Sequence, residues 1–67
     1  MRIFVRDHNS SPELAVRRAL SVLIEAGIYS ADGGGTLGDH ALILVDAAHI
    51  PEAVEALNKA GMRPRVG

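Results

Sequence analysis

Apolar and polar positions alternate through residues 1–6, with Met1, Ile3 and Val5 on one side and Arg2, Phe4 and Arg6 on the other. A period of two predicts a first strand with one strongly apolar face. Residues 7–12 (Asp-His-Asn-Ser-Ser-Pro) are turn chemistry that ends in a helix start. Either Ser11 caps the helix with Pro12 at its first position, or Ser10 pairs with Glu13 as a capping box. The spacing predicts a helix over 12–26, stopped by Gly27. Arg17, Arg18, Ser21 and Glu25 share one narrow wedge of it, and Ala15, Val16, Ala19, Leu20, Val22, Leu23, Ile24 and Ala26 fill the rest. So wide an apolar arc calls for a sheet on one side and a second helix or another subunit on the other.

Residues 28–32 (Ile-Tyr-Ser-Ala-Asp) read as a weaker, more polar strand at an edge, and 32–39 (Asp-Gly-Gly-Gly-Thr-Leu-Gly-Asp) as a flexible hairpin connection. Residues 40–46 (His-Ala-Leu-Ile-Leu-Val-Asp) hold the longest uninterrupted apolar stretch rich in branched side chains, which predicts a central strand. A short link then leads to Pro51 and a second helix ending at Gly61. Its stripe is Ala53, Val54, Ala56, Leu57 and Ala60, with Glu55 and Lys59 as an i,i+4 pair on the outer side. Residues 62–66 (Met-Arg-Pro-Arg-Val) close as a last strand, placed at an edge because Pro64 lacks a donor.

Strand, helix, strand, strand, helix, strand is the βαββαβ order of the ferredoxin-like α+β fold, predicted here as one domain over 1–67. Right-handed crossovers place the first and third strands in the middle of a four-stranded antiparallel sheet, with both helices on one face. The other face has no cover. Either Ala41, Ile43 and Val45 or Leu42 and Leu44 point toward it, joined by Phe4 if Ile3 and Val5 face the core. Monomers rarely expose such a patch, so self-association is expected, by sheet packing or edge pairing. The competing reading drapes the stems of Arg2 and Arg6 over the patch.

Size strengthens the case for assembly. A chain of 67 residues buries only about 60% of its unfolded surface, and with no cysteines it has neither crosslinks nor thiolate metal sites. Net charge is −1 and the seven basic residues are scattered, which argues against a nucleic-acid or acidic-membrane binder. Phe4 on the first strand invites comparison with RNA-binding sheets, but those stack bases on aromatics of both central strands, and the third strand has none. No stretch approaches a membrane span and no signal-peptide layout opens the chain, so a cytoplasmic setting is expected.

Nearly the whole chain resembles the ACT domain, a small ferredoxin-like ligand-sensing module of amino-acid metabolism. Asn9, Pro12 and Leu14 echo its helix-opening turn, and Glu25-Ala26-Gly27-Ile28 its Ala-Gly-Ile helix end. Leu44-Val45-Asp46, Pro51-Glu52-Ala53 and Leu57-Asn58-Lys59-Ala60-Gly61-Met62 match in style. The family's ligand-contacting glycine is Glu13 here, and an extra serine lengthens the turn. The resemblance implies a non-enzymatic, homo-oligomeric domain that binds an amino acid or similar polar metabolite at a subunit interface. Its contacts would be His8, Asn9, Ser10, Ser11, Pro12, Glu13 and Leu14 of one subunit and Tyr29, Ser30 and Ala31 of a neighbour. The element order is also similar to that of PII-like nucleotide-binding signalling proteins, which would use Gly33, Gly34, Gly35 and Thr36. A ligand-free interaction module is the third alternative, and it accounts most simply for Glu13.

Read from the residues alone, Gly33-Gly34-Gly35 is a flexible hairpin or a set of backbone donors for an anion, and it fits neither a dinucleotide fingerprint nor a P-loop. The turn at 7–11 either caps the helix or cradles a polar ligand at its N-terminus. His8, His40 and His49, each near an aspartate (Asp7, Asp39, Asp46), read as surface histidines, since no metal-ligand spacing is present. Ser10 or Ser11 beside His8 would lie on one exposed loop without an enclosing pocket, so no catalytic residue, metal or cofactor is predicted.

Overall fold

The computed structural model describes residues 1–7 and 9–67. The elements are β1 (Arg2–Val5), α1 (Pro12–Glu25), β2 (Asp32–Leu37), β3 (His40–Leu44), a 3₁₀ turn at Ala47–His49, α2 (Ile50–Lys59) and β4 (Arg65–Val66). The strands form one antiparallel sheet in the order β2-β3-β1-β4. This is the ferredoxin-like α+β fold, with β1 and β3 central as their apolar sequences require.

Register settles which side chains meet the helices. Ile3 lies opposite Ile43 and Val5 opposite Ala41. All four are fully buried, with Ala15, Ala19 and Leu23 of α1 and Ala53 and Leu57 of α2 above them. Among the described residues the core is wholly aliphatic apart from Met62. Because side chains alternate across a strand, Phe4, Leu42 and Leu44 point to the opposite, uncovered face.

The second strand is displaced from its predicted position, and the cause lies at the end of α1. The Ile28 N–H donates to the Leu23 carbonyl (2.8 Å) and the Gly27 N–H to the Ile24 carbonyl (3.0 Å), with Gly27 at φ +87°. This Schellman cap uses Ile28 as its apolar closing residue, 3% exposed beside Leu23, so 28–31 is a cap and connection, and of the predicted strand only Asp32 lies in one. The same cap ends α2, where Met62 N–H donates to Leu57 and Gly61 N–H to Asn58, both at 3.0 Å. Met62 is therefore packed under α2, and the last strand shortens from the predicted 62–66 to Arg65–Val66.

The glycine run forms the strand that 28–31 does not. Residues Asp32–Leu37 pair with β3 through a shift between Gly33 and Gly35, and the connection is a two-residue turn at Gly38 and Asp39. Glycine has poor intrinsic strand propensity, but pairing with the apolar β3 and cover from α1 override it. A Cβ on Gly33 would stand 3.0 Å from Val16 Cγ1 and 3.5 Å from Leu20 Cδ1. The missing side chain lets α1 settle directly on the β2 backbone.

Candidate functional site

The turn after β1 is tied to itself. The Asp7 carboxylate accepts from the Asn9 backbone N–H (3.0 Å) and from Arg18 on α1. The Ser10 N–H donates to the Asp7 carbonyl (3.2 Å). The Asn9 N–H is the largest influence holding the Asp7 carboxyl below its ordinary range; shielding from water opposes it, and Arg18 and Ser10 add to the lowering. Ser11, not Ser10, is the cap: its Oγ accepts from the Leu14 N–H at 3.4 Å, with Pro12 opening the helix. Glu13 lies exposed in the first turn and Leu14 is 53% exposed. The proposed contact His8 lies outside the described residues. The turn thus carries the Asp7 carboxylate, paired with Arg18, and the exposed Glu13 follows in the first turn of α1.

Tyr29, Ser30 and Ala31 lie at the other end of the sheet, beside the start of β2 at Asp32 and the end of β3 at Leu44. Tyr29 is 78% exposed. Within one chain the two halves of the expected ligand site are separated by the length of the strands.

Gly33, Gly34, Gly35 and Thr36 do not form a loop. They are consecutive residues of β2, with Thr36 opposite Ala41 on the helix side and a Gly34 Cβ only 2.8 Å from Leu42 Cγ. The strand is irregular there, with a register shift between Gly33 and Gly35 and Gly35 at φ +100°.

Of the histidines, His40 Nδ1 is 3.3 Å from Asp39, as expected. His49 pairs with Glu52 (3.5 Å) instead of presenting its ring to Asp46, whose carbonyl accepts the His49 N–H. Among the described residues no group of three or more His, Cys, Asp or Glu could hold a metal ion. Among them, too, no helix is long and apolar enough to cross a membrane.

The uncovered sheet face holds what the residue patterns did not reveal. Across its middle, Leu42, Phe4 and Arg65 are neighbours on β3, β1 and β4. Toward one end Leu37 lies opposite His40, and toward the other Asp32, Leu44 and Arg2 are aligned. Phe4, Leu37, His40, Arg65 and Gly67 line a shallow, broadly open cavity of about 220 Å³. Phe4 is legible as a face residue from alternation alone. Its partners are not, because nothing local says that Arg65 pairs with Phe4 or that Leu37 pairs with His40.

Compared with known proteins, the chain matches no protein-family model, no curated protein and no solved structure at a significant level.

Proposed function

We propose that the chain is a non-catalytic, cytoplasmic sensing domain of the ACT kind that assembles with copies of itself and binds a small polar metabolite between subunits. The observation that carries this reading is the apolar sheet face. Leu37 and Leu44 on it are 62% and 41% exposed, and Phe4 and Leu42 stand half-buried between them. A sheet packed on one side leaves this surface for a partner, and a small chain gains most from covering it with a second copy. The placement of the turn after β1 and of Tyr29–Ala31 at opposite ends of one chain agrees with a site completed by a neighbour.

Mass measurement in solution tests the assembly. Wild type is expected to be a dimer or tetramer, and Leu44→Glu to dissociate at least tenfold more readily while keeping its circular dichroism spectrum. A strictly monomeric wild type at high concentration removes the reading, and a trimer shifts it to the PII-like alternative. Thermal-shift screening against amino acids and nucleotides tests the ligand. At a hundred times the dissociation constant a native-state ligand adds about 2.7 kcal/mol, a rise of roughly 10–20 °C for a domain this small. No shift from either set leaves a ligand-free interaction module.

A further inference from the structure

We infer that the cavity between Phe4, Leu37, His40 and Arg65 is a binding site for a small aromatic carboxylate. This site lies on the open sheet face, apart from the turn after β1 and from Tyr29–Ala31, and so goes beyond the sensing reading above.

The lining sets the chemistry. The Phe4 ring and the Leu37 side chain are apolar and come from strands β1 and β2, on either side of β3. A flat apolar group seated there gains burial and ring-to-ring contact. The backbone of Gly67 forms another wall by lying close against the ring: a Cβ at that position would stand 2.7 Å from Phe4 Cε2. Arg65, opposite Phe4 on β4, makes no ion pair among the described residues. Its planar fork of donors matches a carboxylate in two-point contact.

Among side-chain charges, the nearby carboxylates do not cancel it. Asp39, beside His40, is already engaged by Arg6 at 3.1 Å and by His40 Nδ1 at 3.3 Å. That contact commits Nδ1 to Asp39, and the His40 ring enters the cavity as a wall. Asp32 aligns with Leu44 and Arg2, at the far end of the face from the Leu37–His40 pair. A cavity of about 220 Å³ lies below the usual range for drug-sized ligands, about 300–1,000 Å³, and suits one ring with one acid group. A nucleotide is too large and carries more charge than one guanidinium balances.

Titration of the isotope-labelled protein with benzoate, followed by amide and side-chain NMR, tests this, with benzamide as the uncharged analogue. Benzoate is expected to shift Phe4, Leu37, His40 and Arg65 saturably, with a dissociation constant on the order of 1 mM. Arg65→Gln is expected to weaken benzoate at least tenfold and leave benzamide unchanged, with the rest of its spectrum showing an intact fold. No saturable shift, shifts centred on the turn after β1, or equal affinity for benzoate in Arg65→Gln would each overturn the inference. Mass measured on the same samples separates the two readings. An oligomer that ignores benzoate loses only the ligand assignment, whereas a monomer that binds it loses only the assembly.

Discussion

Replacing Gly33 with alanine distinguishes a glycine that packs from a glycine that merely flexes. The new Cβ would stand 3.0 Å from Val16 Cγ1, where carbon atoms in contact prefer about 3.5–4.0 Å. Valine in a helix has essentially one comfortable rotamer, so Val16 cannot swing aside and α1 must lift from β2 by roughly half an ångström. Overpacking of this kind costs about 1–3 kcal/mol, and removing a glycine from a strand returns about 0.5–1 kcal/mol. The net expectation is a loss of about 1 kcal/mol, or roughly 4–8 °C in Tm. In a Val16→Ala background the obstructing methyl is gone, and the Leu20 contact at 3.5 Å is an ordinary one. There Gly33→Ala is expected to be neutral or to stabilise by about 0.5 kcal/mol. Urea unfolding of the four proteins gives a double-mutant cycle with an expected coupling of about 1–2 kcal/mol. Additivity within about 0.5 kcal/mol would refute the close packing of α1 on β2 and restore these glycines to a loop.

Two further outcomes follow from local geometry. The Asp7 carboxyl is held below its ordinary value, chiefly by the Asn9 N–H, so its contribution is present above the unfolded value near 3.9 and fades as pH falls through the lower folded value. Urea unfolding at pH 6 and pH 3 is expected to show a steeper acid loss in wild type than in Asp7→Asn, and parallel losses would contradict it. Arg63 has φ +46°, a left-handed conformation that costs a side-chain-bearing residue about 1–2 kcal/mol. Arg63→Gly is expected to raise stability by about 0.5–1 kcal/mol after the larger unfolded-state entropy of glycine is counted, and a lower Tm would count against that strain.

The sequence by itself determined the order of elements, the central place of β1 and β3, a helix start at Ser10–Pro12 and the alternation that sets Ile3 and Val5 opposite Phe4. These are local properties: side-chain period, capping chemistry and uninterrupted apolar runs act over a few residues and are written in them. It also showed that one face of the sheet lacks a cover; the burial of Ile3 and Val5 then put Phe4 there. Only tertiary structure decided that Ile28 and Met62 serve as helix caps, and that Gly33, Gly34 and Gly35 form a strand with Gly33 against α1. Glycine has no side chain to announce its environment, so its role depends on what approaches it. Strand register, too, is fixed by contacts between segments far apart in the chain, and it alone brings Phe4, Leu37, His40 and Arg65 around one cavity.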